Sequence, residues 1–448
     1  MKKYILLIIT FSLAINLLSQ DNDPYFSFPV IFSKEKLQED FMQFRSILED
    51  THPALYDYTD KQVLDSLFNS SYERIDSVLD FSTFLILMTE VISRVGCGHS
   101  SLWVPGKFWE VAPAGLFPLK IRILEDKACI TGSYNDSTGI PPGSELISIN
   151  GINLSSVNDR LLSLTSADGF NHSYRLEKVA QNFPVKFALA YGFADNFNIE
   201  YIEPGSNEII KYDLKPVSKS IIDKNKTEKK ELSFKITGEG NTALLTINSF
   251  GYYSEVNMFH SFIDSVFKVI KDKKIGNLII DLRGNSGGDP FCASYLWAYL
   301  QPEPLPYFDD HYGRYDTLAN QMFMPVNHFE GQLYTLIDGN GFSTTGHICG
   351  LLKYHQVGYF VGTEMGSTYT CTGNATYPPL DNTGIMVGTA RVMRYTAAVK
   401  GMDPRRGIIP DFSVNYTQDD LIRGVDKTLS TALNIINNRE ARKNENLF

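Results

Sequence analysis

The 448-residue chain has few cysteines, no excess of basic residues and, beyond its first 20 positions, no long apolar run. Its five cysteines (Cys97, Cys129, Cys292, Cys349, Cys371) stand far apart and in no C-x-x-C or C-x-H spacing. That argues against a zinc site and allows at most two disulfides, with one thiol left over. Most of the cysteines are expected to be buried as small apolar side chains. With 41 basic against 51 acidic residues, a net charge of −10, the surface offers no electrostatic footprint for nucleic acid or an anionic membrane. Internal repeats and low-complexity tracts are also missing.

What is there is ordinary soluble-protein composition, 43% hydrophobic and 21% charged, in a chain long enough for two or three domains. Met1-Lys2-Lys3, an apolar run from Tyr4 to Leu18 and the acidic Asp21-Asn22-Asp23 have the layout of a secretory signal. The run is short for a membrane span, and a short anchor helix is the second reading. The expectation is a secreted or periplasmic protein with a leader over 1–20 and no stable membrane insertion once it is removed.

Apolar residues at Leu37, Phe41, Phe44 and Leu48 predict a helix capped by Ser33, and Phe81 to Val95 predicts a second, apolar nearly all round. The latter stops at Gly96-Cys97-Gly98, so that His99 sits on a tight turn before the strand-like Ser100 to Val104. From Phe117 the period becomes that of short strands (119–124, 129–131, 145–149, 197–202) with Pro-Pro-Gly and Asn150-Gly151 turns between them. This stretch resembles the central segment of PDZ domains, which bind peptide termini at a sheet edge. The periodicity leaves 161–185 unplaced. Lysine-rich 216–230 reads as a linker or exposed hairpin.

The last part alternates strands (243–247, 277–282, 333–337, 359–361) with helices (one capped by Ser254, one over 290–300, one opened by Ser343, and a last from about Thr417 to Asn437). Such alternation predicts an α/β domain with largely parallel pairing. Two turns in it can carry chemistry. Arg283-Gly284-Asn285-Ser286-Gly287-Gly288-Asp289 lets backbone N–H groups approach an anion, without the lysine ending of a P-loop. Asp338-Gly339-Asn340-Gly341-Phe342-Ser343 runs from strand to helix and holds a hydroxyl beside free N–H groups, where a serine nucleophile would sit. Alone, this stretch favours Ser343 as a helix cap.

The run NLIIDLRGNSGGD (277–289) resembles the signature strand and turn of the S41 serine peptidases. That family includes the C-terminal processing proteases, the tricorn core and the retinoid-binding-protein-like group. The likeness extends to LLTINSFG (244–251), LIDGNGFSTTGHICGLLK (336–353), YFVGTEMG (359–366), GIIPD (407–411) and GCGHSSL (96–102), nearly the whole chain after the leader. The resemblance implies a ClpP/crotonase-like α/β core over 231–448, an N-terminal helical region over 21–105, a PDZ-like β module over 106–215 and a linker over 216–230.

It further implies Ser343 as nucleophile, an oxyanion hole from the N–H groups of Gly287, Gly288 and Thr344, and no metal or other cofactor. No lysine falls between Val361 and Lys400, which disfavours the lysine-base branch, and His99 fits the base of the tricorn-like branch. Glu364 and Asp403 are the candidate acids for orienting His99, with Glu364 preferred. Cys97 departs from the G-D-G-H-T motif that many relatives carry. His347 is expected to pack on its helix face. The expected activity is endopeptidase cleavage of a peptide or protein through an acyl-enzyme on Ser343. The alternatives are a serine esterase or amidase, and a peptide- or ligand-binding protein that has lost turnover. Oligomeric state is left open.

Overall fold

The computed structural model describes residues 25–445 apart from 27, 29, 112–113, 125–126, 136–137, 226–231, 238–240 and 392–393. The leader over 1–20 and most of the lysine-rich segment after 225 lie outside the described residues.

The central sheet has six strands, and their order explains where a site can form. Leu232–Thr237 lies at one edge and runs antiparallel to Thr242–Ile247. Asn277–Asp281, Gln332–Ile337, Tyr359–Gly362 and Phe412–Ser413 then follow in order, all parallel. Asn277–Asp281 is buried throughout and Gln332–Ile337 nearly so, as parallel strands covered on both faces must be. Val256–Asp272, Pro290–Ala298 and Thr344–Tyr354 pack with one face of the sheet in a single core that includes Phe259, Trp297 and Leu351. Ala432 and Ile436 of Lys427–Glu445 cover the other face at Leu244, Ile279 and Leu336. The carboxyl ends of the parallel strands feed the two glycine-bearing turns, which puts both turns at one end of the sheet.

The N-terminal helices agree with the apolar periodicity. Lys34–Thr51 is capped by Ser33, whose side chain accepts from the Lys36 N–H, and Phe81–Val95 has the bounds expected. Their core also takes in Leu380, Ile385 and Val387 from near the other end of the chain. Strand Ser101–Trp103, just after His99, pairs antiparallel with Met386–Gly388. The histidine turn is therefore stitched to the C-terminal half by backbone pairing.

A second sheet, antiparallel, contains Leu119–Leu124, Lys127–Ser133, Glu145–Ile149, Phe197–Ile202 and Ile209–Leu214. Asn150 (φ 48°) and Gly151 (φ 78°) make the tight turn from Glu145–Ile149 into Ile152–Asn153, with positive φ at both central positions as such hairpins require. Residues 161–185, without an assignment in the sequence, belong largely to helices Leu154–Ser163, His172–Gln181 and Phe183–Tyr191.

Three expectations change. Glu255, not Ser254, precedes Val256–Asp272. The last helix is two, Gln418–Ile422 and Lys427–Glu445, parted by a turn at Gly424. The segment after Pro216 carries a short helix, Lys219–Lys224.

Candidate active site

Ser343 lies between strand Gln332–Ile337 and helix Thr344–Tyr354 at φ 56°, ψ −125°. A non-glycine residue held there costs roughly 1–3 kcal/mol, and such strain persists only where the surroundings impose it. They do so through Asn285, which is fully buried. Its side-chain amide donates to the Ile247 carbonyl at 2.8 Å, while its oxygen accepts from the Gly287 N–H at 2.9 Å and the Thr345 hydroxyl at 2.8 Å. The Phe342 N–H donates to the Asn285 carbonyl at 3.0 Å. One asparagine thus clamps the glycine turn to the start of the serine helix. Nothing in its sequence neighbourhood beyond the turn itself marked it.

The two glycines of that turn have different tasks. A Cβ on Gly287 would stand 2.9 Å from Ser343 Cβ and 3.0 Å from the Thr344 nitrogen, so the bare Cα is what lets the turns touch. Its N–H is taken by Asn285. Gly288, at φ 144°, is pressed against Phe250 and Gly251, where a Cβ would come within 2.2 Å of backbone. Among the described residues no acceptor meets the N–H of Gly288 or that of Thr344. The Thr344 hydroxyl fixes their relation by donating to the Gly288 carbonyl at 2.8 Å. Of the three expected oxyanion donors, Gly288 and Thr344 have the free N–H groups and Gly287 does not.

Ser343, Gly288, Thr344, His99, His347 and Cys371 all line one cavity of about 650 Å³. Tyrosines 253, 312, 315, 377 and 395 and Arg314 form much of the remaining wall. His99 is held against it by aromatic contact: the Phe342 ring lies 4.6 Å from the His99 ring and 4.8 Å from the Tyr174 ring. No hydrogen bond joins the Ser343 hydroxyl to either histidine among the described residues; the hydroxyl faces the Cys371 thiol. The Cys371 sulfur is in turn 3.5 Å from His347 Nε2. His347 is buried at the cavity wall, and desolvation holds its imidazole down to about 3, so it is neutral at physiological pH. All five cysteines are free and buried.

The structure brings neither expected acid to His99. Glu364 accepts from the Arg406 guanidinium at 2.6 Å and from the Gly407 N–H at 3.0 Å. Asp403 binds Arg405 at 3.0 Å on the surface. Neither lines the cavity. The carboxylate near His99 is Asp168, in the segment 161–185 where periodicity gave no reading. A ring nitrogen of His99, an Asp168 oxygen and the Cys97 sulfur lie within 4.8 Å of one another. His99 Nδ1 is buried without a hydrogen-bond partner. Asp168 is itself buried, accepting from the Gly98 N–H at 2.8 Å and the Ser367 hydroxyl at 3.2 Å. Burial pushes its carboxyl up to about 6, against those two hydrogen bonds.

These three groups are also the one cluster among the described residues whose donor set could hold a metal ion. Cys97 and Asp168 already have protein partners, Thr372 Oγ1 at 3.0 Å for the thiol.

Comparison with known proteins fits this geometry. Residues 241–414 match the profile of Peptidase family S41. The crystal structure of mature CPAF superposes with a TM-score of 0.62 at 13% identity, covering 90% of this chain and 96% of that one. Mature CPAF complexed with lactacystin gives 0.61 at 12% identity, covering 90% and 97%. No curated protein sequence matches. The matched segment contains both site turns and all five parallel-core strands in full, and the fold is shared over nearly the whole chain; residues 241–414 form a peptidase family S41 domain, and the chain is a serine-type peptidase.

Proposed function

We propose that this chain is a secreted or cell-envelope endopeptidase that cleaves peptide bonds through an acyl-enzyme on Ser343. The observation that carries the reading is the strained Ser343 beside two unpaired N–H groups, in one cavity with a histidine. In the proposed cycle His99 takes the Ser343 proton as the oxygen adds to the peptide carbonyl. The Gly288 and Thr344 N–H groups receive the oxyanion, and His99 returns the proton to the leaving nitrogen. Water then attacks the ester by the same route in reverse. Closing from the present arrangement requires the serine hydroxyl to turn from Cys371 toward His99, and hydrogen bonds of this kind often tighten only with substrate bound.

Asp168 is the acid proposed to orient His99, replacing Glu364 and Asp403. Its supports are the unpartnered Nδ1 and the nearness of the buried carboxylate. In this reading the antiparallel sheet of 119–214 is a PDZ-like element and residues 1–20 a secretory leader.

The test is fluorophosphonate labelling of the protein beside Ser343→Ala and His99→Ala. Labelling that disappears in Ser343→Ala and falls by at least ~10³-fold in rate in His99→Ala is expected. A folded wild type that takes no label would turn the reading to a binding protein, the alternative favoured by the missing Ser343–His99 hydrogen bond.

A further inference from the structure

A second cavity, of about 440 Å³, borders the first. His99 and Tyr377 line both, whereas Ser343 lines only the first. One side of its wall is apolar, with Leu85 and Ile92 from helix Phe81–Val95, Leu161, and Leu189 from helix Phe183–Tyr191, while Thr89, Ser100, Ser166 and Asn182 bring uncharged polar groups. Into this space two helices bring Lys178 and Lys186, and no acidic residue lines it.

Lys186 is the informative one. Its ammonium donates to Thr165 Oγ1 at 2.9 Å, and among the described residues no carboxylate pairs with it. Burial, and after it the like charge of Lys178, pulls the ammonium down to about 8. A half-buried cation without a counter-ion is costly to keep. An anion entering the cavity would relieve both the desolvation and the repulsion between the two lysines.

The position of the cavity says which part of a substrate would bring that anion. A histidine that takes the serine proton must give it to the leaving nitrogen, so the leaving segment lies against His99, away from the Gly288 and Thr344 N–H groups. We propose that the second cavity is the leaving-side subsite and that it takes a carboxylate carried on an apolar stem, bound by Lys186 with Lys178 beside it. This rests on the catalytic reading given above. The carboxylate has two sources with the same chemistry: an acidic side chain just after the cleaved bond, or the free terminus of a short leaving peptide.

The test is calorimetric titration of the protein with four leaving-type dipeptides: Glu-Leu amide, Gln-Leu amide, Leu-Leu acid and Leu-Leu amide. The acid member of at least one pair is expected to bind tenfold or more tighter than its neutral partner. Preference within the first pair identifies a side-chain carboxylate, and preference within the second a chain terminus. Lys186→Met, which keeps the stem and drops the charge, is expected to abolish the preference, Lys186→Arg to retain it, and Ser343→Ala to leave it unchanged. Equal binding within both pairs, or a preference that survives Lys186→Met, overturns the proposal. A preference that holds in a protein unreactive to fluorophosphonate would sink the catalytic reading and its leaving-side assignment, and leave the carboxylate site standing.

Discussion

The serine side and the histidine side of the cavity are built in opposite ways. Ser343, Gly288 and Thr344 all hang from the carboxyl ends of adjacent strands in one sheet. Their relation is fixed by a single buried asparagine and by contacts in which a glycine Cα touches backbone. His99 comes from a different layer. It is held by a strand pair with Met386–Gly388, by the Phe342 ring, and by the loop 165–171. That loop reaches both ways: Asp168 takes the Gly98 N–H, and the Asn171 amide donates to the Met365 carbonyl at 2.6 Å. The geometry of the proposed nucleophile is thus a property of one sheet, whereas that of the proposed base depends on three distant segments docking together. Damage to the docking should remove catalysis and leave the serine turn intact.

The largest expected effect that sharpens this contrast is at Asp168. Asp168→Asn keeps the acceptor for Gly98 and removes the negative charge, and kcat/KM should fall by about 10²–10⁴-fold. The pH–rate profile should change with it, whereas a merely structural role would alter stability alone. Arg394, His52, Tyr58, Tyr174, Cys97 and Cys371 face this carboxyl electrostatically and belong in the interpretation of that profile. His347 offers the counter-test: His347→Gln should retain activity to within about tenfold, because a buried imidazole this reluctant to take a proton is a poor base. A larger loss there with a small one at Asp168 would reverse the assignment.

The next effect is on stability. Burial holds His52 at about 4 and His347 at about 3, both below 6.5, so the unfolded chain binds more protons than the folded one up to that pH, and stability rises with pH. Asp168 works against them: its folded value of about 6 lies above 3.8, so the folded protein keeps the extra proton and stability falls as pH climbs through that window. Two groups against one leave a net gain of about 1 kcal/mol per pH unit between 4 and 6. Urea unfolding across this range reads the slope, and in Asp168→Asn the slope should steepen. The smallest effect is at the two displaced acids. Glu364→Gln and Asp403→Asn each break an arginine pair whose cation is more than half exposed; the first should cost no more than ~1 kcal/mol, the second should leave the unfolding midpoint nearly unchanged, and both should keep activity within about threefold.

Much of the serine side was legible in the sequence because its causes are local. An apolar strand, a glycine cluster and a serine before a helical period are read from a dozen consecutive residues, and Ser343 stands between that strand and that helix; Gly288 and Thr344, expected from the family resemblance, lie beside it with their N–H groups unpaired among the described residues. Gly287 failed as a donor because its N–H goes to Asn285, a contact that depends on how the turn curls. Asp168 was out of reach for a different reason. Thr165 to Asn171 has no period, and its carboxylate approaches His99 only after two layers dock. Glu364 was attractive for its G-x-E-x-G setting, but that glutamate serves the backbone at Gly407 and the side chain of Arg406.

Cys371 gives the site a second chemical personality. The thiol sits at the back of the serine hydroxyl, enclosed and with its ionisation pushed well above 9 by burial. It has no step in the proposed cycle, yet any group added to its sulfur would occupy the space into which Ser343 points. A small thiol reagent such as methyl methanethiosulfonate should therefore inactivate slowly, and occupancy of the cavity should protect. Judged by its inhibitors alone, this serine hydrolase would pass for a cysteine enzyme, and Cys371→Ala, active and resistant, would expose the disguise.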